Sequence, residues 1–270
     1  LPDWWEVQYF GNLDQTGGAD ADEDGWTDLQ EYENGTSPLV GLPMVNNSGN
    51  ASNITAFTAW LHGDLLSTGG VPTSVRVYWG PADGDTIATN WARTNYLGPR
   101  PVGGFSNQVT GLEPNTLYYY RCLASNAVGD SWAPASDTFQ TLVAPPQLNN
   151  NGGATNITDA EAWLSGNLTF DGGELPLVLI YWGPFDGGNT NENWANTNYP
   201  AVSSVGLFSN VVSLLEPNAL YYYRCYATNS AGDGWALTAT NFTTLPRVPS
   251  VETGLDASNI TPYTAWIHGN

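Results

Sequence analysis

Six positions between residues 20 and 31 carry oxygen atoms at the spacing of a metal-binding loop. Carboxylates stand at positions 1, 3, 5, 9 and 12 of this stretch, and a glycine stands at position 6. Alternate side chains of a tight loop can converge on one point, where Ca²⁺ takes about six to eight hard oxygen ligands. The spacing therefore predicts a calcium site with the ligands Asp20, Asp22, Asp24, the backbone carbonyl of Trp26, Asp28 and Glu31.

The residues that follow predict a helix leaving the loop. Gly25 permits the sharp turn, Asp28 coordinates directly or through a water molecule, and Glu31 closes the shell with both oxygens. The helix is expected over residues 29–33, because residues 34–38 (Asn-Gly-Thr-Ser-Pro) are strong helix-ending residues. The alternatives are a solvated acidic turn, or magnesium or another divalent cation in place of calcium.

The same stretch resembles EF-hand loops, the loop–helix units of dockerins, and the thrombospondin type 3-like segments of large bacterial surface proteins. A short helix is also expected over residues 2–10, with Trp4 or Trp5, Val7 and Phe10 as its apolar stripe. It is separated from the loop, whereas an EF-hand helix runs straight into its loop, and only one loop is present. The resemblance thus implies structural calcium of modest affinity, with a Kd on the order of 10⁻⁴–10⁻³ M.

The chain repeats itself at an interval of 103 residues. The phrase LEPNTLYYYRCLASNAVGD returns as LEPNALYYYRCYATNSAGD, and Trp60 corresponds to Trp163 and Trp266. A third copy is cut short, so we expect a monomeric piece of a longer protein. The predicted divisions are the calcium loop–helix segment at 1–38, two complete domains at 44–142 and 147–245, and the truncated start of a third repeat at 250–270.

Each repeat has the alternating pattern of short antiparallel strands. Tyr118, Tyr120, Cys122 and Ala124 share one face of such a strand, while the residues between them share the other. One cysteine per repeat leaves no disulfide within a domain, so a small buried thiol is expected in each core, with a reactive or bridging role as the alternative. Strands of this length in a unit of about 100 residues favour a β-sandwich.

Two corresponding stretches resemble the E–F corner and F strand of fibronectin type III domains. They are residues 112–118 (LEPNTLY) and 215–221 (LEPNALY). The resemblance implies that the hydroxyls of Tyr118 and Tyr221 bond back to the chain upstream as tyrosine corners. The expected fold class is all-β, with tandem fibronectin type III-like (immunoglobulin-like) antiparallel β-sandwiches after a small α-helical calcium-binding segment. Residues 58–63 (TAWLHG) and 78–80 (YWG) resemble bacterial surface or secreted members of that family.

The connection after Gly80 is longer than is usual in such a sandwich and carries a tryptophan in both copies. Trp91 and Trp194 are each followed, three residues later, by Thr-Asn-Tyr. One interpretation is a loop that tucks its indole over one end of the core. The other is an aromatic platform for a sugar ring, for which exposed indoles are required and which buried indoles exclude.

Charge and residue content narrow the possible functions. With 26 acidic against 6 basic residues the net charge is −20, which disfavours nucleic acid and anionic membranes as partners. No apolar run is long enough to span a membrane. The two histidines, His62 and His268, are matched by Ser165 in the middle copy and are expected on strand surfaces. No nucleophile–base arrangement, zinc spacing or phosphate-binding loop is visible, so no enzyme is predicted.

These features together predict a non-catalytic structural or interaction module of a secreted or cell-surface protein. In this interpretation calcium rigidifies the N-terminal segment against the first sandwich, and the sandwiches act as spacers or adhesion scaffolds facing surface proteins or polysaccharides. The alternative is a carbohydrate-binding accessory module that uses the tryptophan-bearing loops beside an enzyme elsewhere in the parent protein.

Overall fold

The computed structural model describes residues 1–250, 252 and 257–267. They form two compact units, the first made of residues 1–144 with 172–174, and the second of 145–171 with the described residues from 175 onward. The predicted surface position of His268 lies outside the described residues. No helix in the described part of the chain is long and apolar enough to cross a membrane.

The first repeat folds into two antiparallel sheets. One has the order β1-β2-β5, and the other has the order β4-β3-β6, with β7 and β8 both paired to the far side of β6. The strands are β1 Met44–Asn47, β2 Thr58–Ser67, β3 Thr73–Gly80, β4 Arg93–Arg100, β5 Gly103–Thr110, β6 Leu117–Ser125, β7 Asp130–Trp132 and β8 Asp137–Gln140.

The second repeat has the same topology. One sheet has the order β13-β10-β9, and the other has the order β12-β11-β14, with β15 and β16 paired to β14. The strands are β9 Gln147–Asn149, β10 Ala162–Phe170, β11 Leu177–Gly183, β12 Asn196–Asn198, β13 Gly206–Val212, β14 Leu220–Asn229, β15 Gly232–Trp235 and β16 Thr240–Thr243.

Strand alternation decides which residues lie between the sheets. On β6, Tyr118, Tyr120, Cys122 and Ala124 all belong to the buried core of the first sandwich, as the pattern predicts. Leu123, on the opposite face, belongs to a separate cluster. The thiols of both repeats are buried and free, and burial raises the pKa of Cys122 to about 12. The expectation of a small buried thiol in each core is confirmed.

Both predicted tyrosine corners are present. The hydroxyl of Tyr118 accepts a hydrogen bond from the backbone N–H of Glu113 at 3.0 Å, and that of Tyr221 accepts one from Glu216 at the same distance. Each bond fixes the crossover from one sheet to the other. In each repeat a three-stranded antiparallel sheet packs against a five-stranded antiparallel sheet. The fold is therefore that of tandem fibronectin type III-like sandwiches, and the predicted fold class is confirmed.

Two short helices precede the first sandwich, α1 Asp3–Phe10 and α2 Asp28–Asn34. Trp5 is buried on α1, but the prediction that Val7 lies on the apolar stripe is wrong, because Val7 is exposed. Glu6 is buried in its place, and its carboxylate accepts a hydrogen bond from the backbone N–H of Gln15. That bond lowers the free-energy cost of burying the carboxylate.

The described part of the third repeat forms only one of the backbone pairings found in the complete sandwiches. A single bridge joins Ser258 to Trp266, matching the bridges at the start of both complete repeats. Trp266 and Ile267 are exposed, since the described residues offer no facing sheet against which they can pack.

Candidate metal centre

Helix α2 starts in a capping box, which places the last two predicted ligands. The Thr27 hydroxyl accepts the backbone N–H of Gln30, and the Gln30 side chain accepts the backbone N–H of Thr27. Asp28 and Glu31 are one turn apart on this helix and therefore share a face. Both are almost fully buried, with 0% and 1% of their surface exposed. The Thr-x-x-Gln signal was available in the sequence, although the prediction did not use it.

The preceding loop brings the first three carboxylates together. Ligand atoms of Asp20, Asp22 and Asp24 all lie within 4.8 Å of one another. Backbone N–H groups hold them in place, including those of Asp24 and Gly25, which donate to the two oxygens of Asp20 at 3.1 and 3.0 Å. Gly25 has a φ of 96°, a conformation that favours glycine and confirms the predicted turn position.

The carboxylates of this loop fit a bound cation. Among the residues that the structure describes, five buried side-chain atoms have no hydrogen-bond partner, and three of them are Asp22 Oδ2, Asp28 Oδ2 and Glu31 Oε2. A buried carboxylate oxygen without a partner is strongly unfavourable. A divalent cation would supply the partner for all three, and hard oxygens are the ligands that calcium takes.

The electrostatics of the loop point in the same direction. Burial, followed by the charge of Asp22, raises the pKa of Glu31 to about 8. Burial, followed by the charge of Asp24, raises the pKa of Asp22 to about 6. Within the described residues no arginine pairs with a carboxylate of this loop, and a bound cation would relieve the repulsion among these carboxylates.

The loop is fastened to the first sandwich by hydrogen bonds that the sequence did not reveal. The Ser67 hydroxyl, at the end of β2, donates to the backbone carbonyl of Asp22 at 3.1 Å. The backbone N–H of Gly41 donates to the carbonyl of Gly69 at 3.1 Å. Asn126, after β6, donates to the carbonyl of Gly41 at 2.8 Å. Two turns of the sandwich thus support the acidic loop and the linker behind it.

Trp26 has a largely exposed side chain, with 47% of its surface accessible, and its backbone N–H donates to Asp24 at 2.9 Å. The predicted role of its backbone carbonyl as a calcium ligand stays a prediction. The structure brings ligand atoms of Asp20, Asp22 and Asp24 within 4.8 Å of one another, and the charges of all four aspartates act on the Glu31 carboxylate.

The tryptophans of the long connections do not form a platform. Trp91 and Trp194 are each only 7% exposed, and their indole N–H groups donate to the backbone carbonyls of Asp85 and Gly188. The expectation of an aromatic face for a sugar ring is therefore wrong for both. The loops do tuck their indoles in, as the other interpretation expects, but on an outer sheet face and not over one end of the core. Trp91 packs with Tyr78, and Trp194 packs with Tyr181.

No family model matches the chain, and no curated protein matches it. Among solved structures, the FN1–FN3 domains of chicken CNTN1 are 15% identical to this chain. The alignment covers 85% of this chain and 86% of the CNTN1 chain, with a TM-score of 0.42. The sensor domain of the anti-sigma factor RsgI4 of Pseudobacteroides cellulosolvens is 20% identical to this chain. The alignment covers 38% of this chain and 97% of the RsgI4 chain, with a TM-score of 0.28. At these values no functional role passes from either protein to this chain.

Proposed function

We propose that this chain is a non-catalytic structural and interaction module in which Ca²⁺ holds the N-terminal segment on the first of two fibronectin type III-like sandwiches. The observation that carries the proposal is the set of three buried carboxylate oxygens, on Asp22, Asp28 and Glu31, that have no partner among the described residues. A cation at that point converts their mutual repulsion into attraction.

The proposed action of calcium is mechanical. The ligands divide between the loop, which contains Asp20, Asp22 and Asp24, and helix α2, which contains Asp28 and Glu31. An ion bound by both groups joins the helix to the loop. Because the loop and the linker behind it are hydrogen-bonded to two turns of the sandwich, calcium binding stabilises the N-terminal segment as part of the first unit.

The proposed setting is the cell surface or the extracellular space. A single loop of the kind described implies an affinity on the order of 10⁻⁴–10⁻³ M, which requires calcium at about millimolar concentration. The net charge of −20 keeps such a chain soluble and deters anionic partners from most of its surface. The proposed partners are surface proteins or polysaccharides.

Calcium titration by calorimetry, with thermal melts in calcium and in chelator, tests the proposal. At 10 mM calcium, which is about 10–100 times the expected Kd, the first unit should gain about 1.4–2.7 kcal/mol and melt roughly 4–10 °C higher. Glu31→Gln should weaken binding at least tenfold. Glu33→Gln, an exposed position on the same helix, is the matched control and should bind as the wild type does.

Two results would count against the proposal. One is the absence of calcium binding at millimolar concentration, and the other is equal binding by the Glu31→Gln and Glu33→Gln variants. Binding without a rise in the melting temperature of the first unit would contradict the mechanical role alone.

A further inference from the structure

A polar cleft opens on the first sandwich at the edge formed by β4 and β5, away from the acidic loop. Its volume is about 370 Å³, which lies in the range of small-ligand sites. In the described part of the chain no carboxylate lines it, although the whole sequence has 26. The lining residues are Trp79, Arg93, Thr94, Asn95, Gln108, Val109 and Thr110.

Packed aromatic and amide groups hold the cationic side chain of this cleft. The Arg93 guanidinium lies over the ring of Trp79, with 5.5 Å from Cζ to the ring centroid. The Trp79 indole donates to Asn95 at 2.9 Å, and Asn95 donates to Asn107 at 3.4 Å. The buried Nδ2 of Asn107 is a donor without a partner among the described residues. Arg93 thus lies on packed groups, and among the described residues no carboxylate forms an ion pair with its guanidinium.

Comparison with the second repeat shows which residues of the cleft are shared by both sandwiches and which are not. The same chain of hydrogen bonds runs there from Trp182 to Asn198 at 2.8 Å, and from Asn198 to Asn210 at 2.7 Å. This chain of bonds is common to both sandwiches and is therefore a feature of their shared fold.

The groups that would contact a ligand differ between the repeats. At the interval of 103, Arg93 corresponds to Asn196 and Gln108 corresponds to Val211. The first copy thus has a guanidinium and an amide where the second has a neutral amide and an apolar side chain.

The net charge of the first sandwich is also less negative than that of the second. Residues 44–142 contain four arginines against six carboxylates, whereas residues 147–245 contain one against eight. One arginine is common to both repeats, Arg121 in the first and Arg224 in the second. Arg121 is buried and donates a hydrogen bond to the backbone carbonyl of Ala133. The arginines peculiar to the first copy, Arg76, Arg93 and Arg100, are replaced in the second by Leu179, Asn196 and Ser203.

We propose that the Arg93 cleft binds a carboxylate-bearing sugar residue, a uronic acid, of an acidic polysaccharide. A guanidinium pairs with a carboxylate through two parallel N–H groups. The amide of Gln108 and the hydroxyls of Thr94 and Thr110 offer both donors and acceptors, as sugar hydroxyls require. The indole of Trp79 is only 5% exposed, so recognition here is polar and does not rely on stacking.

The edge itself disfavours an acidic peptide as the occupant. Peptides commonly bind a sheet edge by adding a strand. Beyond the cleft, the edge strand β4 has a register irregularity opposite Val75 and Arg76 and contains Pro99, which lacks an N–H group, so an added strand could pair regularly only with the first residues of β4. A compact cleft with one cation fits a charged sugar ring better than an extended chain.

Calorimetric titration of the whole 270-residue chain with acidic oligosaccharides tests the proposal. The probes are hexamers of galacturonate, glucuronate and mannuronate, with a neutral galactose hexamer and a glutamate hexapeptide for comparison. Chelator is present throughout, so that calcium bridging contributes nothing and the result is independent of the calcium loop. Arg93→Asn and Gln108→Val install the residues that the second repeat tolerates, and Arg76→Leu is the matched control.

The expected result is binding of at least one uronate hexamer that weakens at least tenfold in Arg93→Asn, weakens in Gln108→Val and is unchanged in Arg76→Leu. It should weaken as sodium chloride is raised, because one ion pair is formed. The proposal is overturned if no uronate hexamer binds at 10 mM or if the neutral hexamer binds equally well. It is also overturned if the glutamate peptide binds as tightly through Arg93, or if Arg93→Asn melts like the wild type and keeps full affinity.

Discussion

Gly41 offers a way to disturb the acidic loop without touching a carboxylate. It lies in the linker between the loop and the first sandwich, and it packs directly against Asp24. A Cβ added at Gly41 would lie 2.6 Å from the Cβ of Asp24 and would overlap its carboxylate. The φ of Gly41 is not positive, so Gly41→Ala adds no backbone strain and acts through this overlap alone.

The size of the effect follows from the distances. An ordinary contact between these carbons needs about 3.4 Å, so Asp24 or the linker has to move by roughly 0.8 Å. Metal–oxygen distances in proteins hold to within about 0.2 Å, so a shift of this size takes Asp24 out of the proposed shell. We expect calcium affinity to fall at least tenfold, which is about 1.4 kcal/mol.

Calcium calorimetry on Gly41→Ala and Gly18→Ala measures this effect. Gly18 also lies in the N-terminal segment, but an added Cβ there meets no atom of the described chain within 4 Å, and its φ is not positive. Gly18→Ala should bind calcium as the wild type does. Wild-type affinity in Gly41→Ala would refute the inference that the linker positions Asp24.

Three further outcomes are expected. Tyr221→Phe leaves the exposed backbone N–H of Glu216 without its protein partner and should destabilise the second sandwich by about 0.5–1.5 kcal/mol, measured by urea unfolding. At pH 8 the Cys122 thiol, with its pKa raised to about 12 from 9.0, should have about a thousandfold less thiolate and resist iodoacetamide until the protein unfolds. Gly63→Ala places a Cβ 2.6 Å from the Cys122 sulfur and should destabilise the first sandwich by about 1–3 kcal/mol, whereas Gly104→Ala should not.

Each of these outcomes has a clear opposite. An unchanged urea midpoint for Tyr221→Phe would mean that water replaces the corner bond at no cost. Rapid alkylation of the folded protein would show that the core opens to reagent. Equal stability of the two glycine variants would show that the core around Cys122 relaxes around an extra methyl group.

Much of the fold is predictable from the sequence, because the relevant signals are local or repeated. The interval of 103 residues identifies the two sandwiches, and strand alternation assigns the buried face of β6 without knowledge of its neighbours. The tyrosine corners are predictable as well, since each bond spans only five residues, as from Tyr118 to Glu113.

The burial of side chains depends on partners distant in the sequence, and prediction was weaker there. Val7 is exposed and Glu6 is buried because a backbone N–H beyond the helix reaches the carboxylate. The tryptophans of the long connections were open to two interpretations, because the sequence does not show which face of a sheet a connection crosses. In the folded chain the indole of Trp91 covers Tyr78 on the outer face.

For the acidic loop, the sequence by itself determined the type and spacing of the oxygen ligands, because twelve consecutive residues contain all of them. The tertiary structure decided that Asp28 and Glu31 are buried, and that Ser67 and Asn126 hold the loop and its linker on the sandwich. It also decided the Arg93 cleft, whose lining comes from two sheet edges that meet only when the sandwich closes. Spacing along a chain sets which atoms can converge locally, whereas burial and clefts arise when distant segments exclude water together.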